Sequence, residues 1–192
     1  MILIDPQVGF CSPEGSLGSL HGKSELSEIQ RVIPNIKKAL NESSRRNVIM
    51  SEYSTGQFTN GDTQHPLANL CVPHVNNDCA LIGELSLIQY HSSVTKYEQS
   101  ALSAGEFSAV IENDLKDGIQ RFVLAGFLLE YCVQSTALDL LTTLSGKGAE
   151  VIICGDLVAS RSEKYANGTV KSVITNLRSK GITIEPWRKI QP

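Results

Sequence analysis

The sequence predicts an α/β protein: a single three-layer α/β/α domain with a mainly parallel sheet. Short apolar runs alternate along the chain with segments of helical periodicity. Several runs, such as 122–125 and 151–154, are apolar throughout, as strands buried on both faces of a parallel sheet must be. The length of 192 residues, with 41% hydrophobic and 19% charged content, suits one domain with a sizeable core. No repeat, low-complexity segment or linker divides it.

In order, Ile2, Leu3 and Ile4 form the first strand, ended by Asp5-Pro6. Residues 5–24, rich in Gly, Ser and Pro, read as a loop. Leu26, Ile29, Val32, Ile33, Ile36 and Leu40 fall at helical intervals, but Pro34 belongs in a first turn, so the helix is expected over 34–46. Val48, Ile49 and Met50 make the second strand. The polar, irregular stretch 52–82 is a loop of functional length. Leu87, Ile88 and Tyr90 mark a third strand ending before Thr95-Lys96, and a short helix near 111–116 leads to the strand at 122–125. Gly126 opens a turn, and a helix starts near Tyr131 with Val133, Ala137, Leu140, Leu141 and Leu144 inward. The strand 151–154 closes at Gly155-Asp156. One helix is expected over 162–180, with Ser162 as N-cap and Gly181 as stop, and Ile182 and Ile184 suggest a last strand.

A net charge of −3 and a pI near 5.8 argue against nucleic acid as a partner. Lys37-Lys38 and Arg45-Arg46 are at helical spacing and read as a solvated face. No apolar stretch approaches the roughly 20 residues that span a bilayer, so no membrane partner is expected. The start, MILID, lacks the charged and apolar regions of a signal peptide. The five cysteines form no CxxC pair and match no zinc spacing. They read as free thiols in a reducing, cytoplasmic compartment.

Three polar residues fall at the expected carboxyl ends of strands: Asp5, Lys96 and Cys132. Parallel strands align those ends on one edge, where open α/β sheets bind ligands. A carboxylate takes a thiol proton and an ammonium stabilises the thiolate, which gives an activated nucleophile without a histidine. Cys132 lies where a turn enters a helix, and the first N–H groups and the macrodipole there favour thiolate. Blander readings stay open: Cys132 as a small core residue, Asp5 as a turn residue, Lys96 as a solvated lysine. His21, His65, His74 and His91 are in loop-like or strand-end contexts. No Walker loop or GxGxxG element is present, so neither a nucleotide nor another cofactor is expected.

The segment GFLLEYCVQSTALD, from Gly126 to Asp139, resembles the G-x-x-T-D-x-C-V-x-x-T-A-x-D signature of the isochorismatase-like cysteine hydrolases. Gly126, Cys132, Val133, Thr136, Ala137 and Asp139 match it, while Leu129 stands for the usual Thr and Glu130 for the usual Asp. DPQVGF (Asp5, Gln7, Phe10) is similar to the family's opening D-x-Q-x-x-F, and TKYEQSAL and GDLVAS resemble its lysine segment and a following strand end. The resemblance implies a nucleophilic Cys132, a general base Asp5 and a supporting Lys96. It also implies a cis peptide at Phe127–Leu128 and an oxyanion hole from the N–H groups of Leu128 and Cys132, such donors being worth about 10²–10³ in rate each. Phe10, Tyr131 and the 52–82 loop are expected to line the pocket.

Within the family, FCSPEGSL and EYC are similar to the nicotinamidases' F-C-x-G-G-S-L and D-Y-C. Their metal segment does not carry over. MSEYST puts Tyr53 and Thr55 where Asp and His ligands would stand, and Cys71 stands for a Trp that faces the substrate ring. Only His74 matches a ligand, and one His makes no divalent site, so no metal is expected; His74 reads as structural or pocket-lining, with a metal held through unseen partners as the open alternative. The expectation is a cysteine-dependent hydrolase of a small amide or related C–N substrate, acting through a thioester as a homo-oligomer. Open alternatives are a nicotinamidase proper, vinyl-ether cleavage without the cysteine, and a non-catalytic binding or assembly module.

Overall fold

A computed structural model describes residues 1–190 of the chain. Six strands, β1 (Ile2–Ile4), β2 (Asn47–Ser51), β3 (Ser92–Lys96), β4 (Arg121–Phe127), β5 (Glu150–Ala159) and β6 (Thr183–Glu185), form one sheet in the order β3-β2-β1-β4-β5-β6. Every neighbouring pair is parallel. The chain winds outward from β1 to β3, returns to the centre at β4 and winds outward again to β6. The strand order therefore reverses between β1 and β4, and a crevice opens beyond their carboxyl ends.

Side chains alternate across β1, so Leu3 enters one apolar layer while Ile2 and Ile4 enter the other. The Leu3 layer packs on α3 (Ser27–Glu42) through Ile29, Val32, Ile36 and Leu40. The opposite layer packs on α4 (Gly105–Lys116), α5 (Gln134–Leu144) and α7 (Thr169–Ser179), through Phe107, Ile111, Ala137, Leu140 and Leu177. Two buried layers sharing one sheet make the expected three-layer architecture.

Several element expectations are corrected. Residues 5–24 contain α1 (Val8–Cys11) and α2 (Ser16–His21) instead of a plain loop. The helix expected over 34–46 begins at Ser27 and ends at Glu42, with Pro34 inside it. A proline there costs about 3 kcal/mol. The apolar stripe from Ile29 to Leu40, buried along its whole length, offsets that. The third strand is Ser92–Lys96; residues 83–87 form a 3-10 turn that leaves Leu87 exposed. Strand β5 runs on to Ala159 after a register shift opposite Leu124 and Gly126. The last long helix is two, α6 (Ser162–Ala166) and α7, divided at Gly168, whose φ of 80° leaves helical geometry. A short α8 (Trp187–Ile190) follows β6.

Candidate active site

The carboxyl ends of β1, β2 and β3 and the segment after β4 converge beside one cavity. Asp5 directly follows β1 with φ 50°, and its N–H donates to Ile49 (2.9 Å). Lys96 is the last residue of β3, in register with Ser51 of β2. Cys132 belongs to a wide π-type turn, Leu129–Val133, that leads into α5. Gly126, which pairs with Ile4, has φ 111°, and a Cβ there would lie 2.0 Å from the Ile4 carbonyl oxygen. Only glycine lets β4 close on β1 just before Asp5. The peptide between Phe127 and Leu128 is cis.

Asp5 and Lys96 are wholly buried, and Cys132 is 4% exposed. Lys96 Nζ stands 3.2 Å from Asp5 Oδ2 and 3.2 Å from Cys132 Sγ. It also donates to Ser51 Oγ (2.7 Å), Tyr53 Oη (3.1 Å) and the Glu98 carbonyl (3.0 Å). Ser51 donates to Asp5 Oδ1 at 2.9 Å. Oδ2 meets Lys96 at ion-pair distance but accepts no hydrogen bond from a described residue. Gln7, wholly buried, fixes the end of β2: its amide oxygen accepts from the Ser51 N–H (2.7 Å) and its nitrogen donates to the Ser51 carbonyl (2.9 Å).

The expected helix-end depression of the Cys132 thiol is corrected. Burial, and next the Asp5 charge, push it up to about 12, and Lys96 opposes them without winning. Burial works against the Lys96 ammonium, but the charges of Asp5 and Cys132 outweigh it and hold lysine above its ordinary value. The site therefore stores a thiol beside a charged acid–base pair, and the thiolate forms as its proton leaves.

The cavity outside has a volume of about 360 Å³. Phe10 and Tyr131 line it, and Leu128 and Cys132 form part of its wall. The 52–82 loop contributes Tyr53, Phe58, Leu67 and Leu70. Cys71 does not face the cavity: it is buried, with its thiol on the Asp78 carbonyl and its backbone N–H on the Asp78 carboxylate. His74 is not among the lining residues either. Leu129 is buried in the apolar layer with Val158 and Val170, and Glu130 bonds the Ser160 hydroxyl. Both departures from the signature are thus taken up by local packing and pairing. The matching Thr136 accepts from the Ala101 N–H (3.0 Å), which ties the chain after β3 to α5.

Sequence reasoning missed four contributors. Ser51 lies between Asp5 and Lys96 because β2 lies between β1 and β3, a consequence of strand order. Tyr53 stands in sequence only at the place of a missing ligand, yet its hydroxyl lies 2.6 Å from Ser51 Oγ, accepts from Lys96 (3.1 Å) and lies 3.8 Å from Cys132 Sγ. His21 and Arg161 line the cavity, Arg161 held by Glu25 (3.4 Å) and Glu163 (3.0 Å). Burial, and next the Arg161 charge, lower the His21 imidazole.

Residues 1–181 match the family model described as Isochorismatase domain. No curated protein matches the chain. Among solved structures, the chain resembles a pyrazinamidase/nicotinamidase of Streptococcus mutans UA159, with 22% identity, TM-score 0.66, and 95% of this chain and 97% of that one covered. It also resembles an isochorismatase family protein of Desulfovibrio vulgaris, at 17% identity and TM-score 0.71, covering 98% and 94% of the two chains. The pyrazinamidase of Pyrococcus horikoshii, solved in complex with zinc, aligns at 19% identity and TM-score 0.71 over 96% and 97%. At these identities the likeness is one of fold. The residues here do not fit such a metal. A phenol and a hydroxyl, Tyr53 and Thr55, occupy the places of two ligands, and no three His, Cys, Asp or Glu side chains cluster among the described residues.

Proposed function

The chain belongs to the isochorismatase family, and from that premise we propose that it is a hydrolase of small amides or related C–N substrates, with Cys132 as nucleophile. The observation that carries this reading is the meeting of Asp5 Oδ2, Lys96 Nζ and Cys132 Sγ, at 3.2 Å along each arm from the lysine, with Cys132 in the wall of a largely apolar cavity and the buried pair behind it.

The thiol proton passes to Asp5 Oδ2 and the sulfur attacks the carbonyl carbon. The carbonyl π electrons move to oxygen, and that oxyanion takes hydrogen bonds from the N–H groups of Leu128 and Cys132. Asp5 returns its proton to the nitrogen as the C–N bond breaks, leaving a thioester on Cys132 and a free amine. Asp5 then takes a proton from water, the hydroxide displaces sulfur, and the acid leaves with the thiol restored. Lys96 carries no proton in these steps. It offsets whichever of Asp5 and Cys132 is negative. Phe10 and Tyr131 hold the small-molecule substrate, and no step uses a metal or cofactor.

Cys132→Ala tests the reading against a panel of small amides that includes nicotinamide and pyrazinamide. The parent should release amine from at least one of them, and the variant should lose that activity by roughly 10³-fold or more. An equally active variant overturns the mechanism.

A further inference from the structure

Tyr53 is a buried side chain of the site that this mechanism leaves without a task. It is 5% exposed, its ring meets Phe58 edge-on at 4.5 Å between centroids, and its hydroxyl joins the charged cluster. The protons of that cluster are fewer than its contacts. Lys96 has three to share among Asp5, Cys132, Ser51, Tyr53 and the Glu98 carbonyl. Ser51 has one, and both Asp5 Oδ1 (2.9 Å) and Tyr53 Oη (2.6 Å) are within its reach. Tyr53 has one, and both Ser51 Oγ and Cys132 Sγ (3.8 Å) are within its reach.

While Asp5 carries the negative charge, it draws the Ser51 proton, and Tyr53 can direct its own to Ser51. Once Asp5 has taken the thiol proton, its pull on Ser51 weakens and the charge is on sulfur. Ser51 can then turn its proton to Tyr53 Oη, which frees the phenol to donate to the thiolate. Charge-assisted hydrogen bonds of this kind are about twice as strong as neutral ones.

We propose that Tyr53 is a positioning residue for the nucleophile, whose hydroxyl turns its hydrogen bond to Cys132 Sγ as charge passes from Asp5 to sulfur, with Ser51 following in a two-hydroxyl relay. No bond to hydrogen breaks in Tyr53 or Ser51; each proton stays on its own oxygen and only its direction changes. The other groups facing the sulfur are Asp5 from β1 and Lys96 from β3, with His21 and Arg161 along the cavity wall. Tyr53 stands at one of the two positions where the family resemblance expects a metal ligand, and the relay gives this chain its own means of stabilising the thiolate.

The proposal rests on Cys132 being the nucleophile of the proposed function, but its test needs no substrate. The probe is iodoacetamide, with modification of the Cys132 peptide followed by mass spectrometry between pH 7 and 9.5. The series is Tyr53→Phe, the parent, and protein carrying 3-fluorotyrosine at position 53. Loss of the donor should leave about tenfold less thiolate at a given pH, partly offset by the greater nucleophilicity of the more basic sulfur, so alkylation should slow about threefold. The more acidic fluorophenol should speed it. Rates rising in the order phenylalanine, tyrosine, fluorotyrosine support the relay. A merely structural role cannot order them by acidity, because the fluorotyrosine keeps the ring and hydroxyl in place. A Tyr53→Phe rate equal to the parent's, or fluorotyrosine and phenylalanine displaced in the same direction, overturns the proposal. Loss of fold in Tyr53→Phe leaves the parent–fluorotyrosine pair to decide it. If the relay is supported while Cys132→Ala retains full amide turnover, the failure belongs to the proposed function and not to the relay.

Discussion

At the amino end of the sheet Arg45 stands 2.7 Å from Asp114, and at the carboxyl end Lys96 stands 3.2 Å from Asp5. The two clusters are built for different ends. Arg45 has its side chain one-third exposed and also meets Asp117 at 3.1 Å, while Asn47 donates to Asp114 Oδ2 at 2.9 Å. That cluster ties α4 to the start of β2. The Asp5–Lys96 pair is wholly buried, meets at Asp5 Oδ2 and borders a thiol. Two charges taken fully out of water lose more hydration than a pair at the rim, so the carboxyl-end pair is a poor device for stability alone. Burial of both partners beside a thiol, and not the mere presence of an ion pair, distinguishes the candidate site.

Substitution breaks the comparison most sharply at the carboxyl end. Asp5→Asn should abolish amide hydrolysis, by roughly 10³-fold or more, and destabilise the protein by about 3–5 kcal/mol, because it strands the Lys96 charge. Asp5→Leu combined with Lys96→Met should recover most of that stability with none of the activity. Arg45→Met, in contrast, should cost about 1–3 kcal/mol by leaving Asp114 short of a partner, with activity unchanged. Denaturant unfolding and amide turnover on the four proteins check all of this together. A double variant as unstable as Asp5→Asn would show that the buried pair is structural after all.

A smaller effect sharpens the same contrast. The Cys132 thiol is ordinarily near 9.0 and is held at about 12 in the fold. Between these values the native state keeps a proton that the unfolded chain has lost, so stability from this group is fully present below pH 9 and falls as pH rises toward 12. One such group changes stability by about 1.4 kcal/mol per pH unit inside the window. Parent and Cys132→Ala, unfolded in urea from pH 8 to 10.5, should therefore differ in slope by about that amount above pH 9, the parent being steeper. Equal slopes would show that the Cys132 thiol is not held protonated by the fold.

Much of the architecture could be read from residue patterns, because a parallel sheet writes itself as continuous apolar runs. What escaped was set by tertiary packing. The stripe from Ile29 to Leu40 carries a helix through Pro34 against local preference. The strand at Ser92–Lys96 was missed because Ser92, Ser93 and Thr95 are polar, and β3 is an edge strand with only Val94 and Lys96 buried. Asp5, Lys96 and Cys132 could be named because each lies at a strand end, a one-dimensional property. Ser51 and Tyr53 could not, since their part depends on β2 lying between β1 and β3. The state of the thiol was read in the wrong direction: the helix start is visible in sequence, whereas the burial that outweighs it is not.

In the proposed reaction the acyl carbon passes from nitrogen to the sulfur of Cys132. Acid quenching during turnover of an amide, followed by mass analysis of the Cys132 peptide, tests it directly. The expected result is a peptide heavier by the acyl group, discharged by hydroxylamine and absent from Cys132→Ala. Steady turnover by the parent, with no adduct at Cys132 and undiminished turnover by Cys132→Ala, would contradict it.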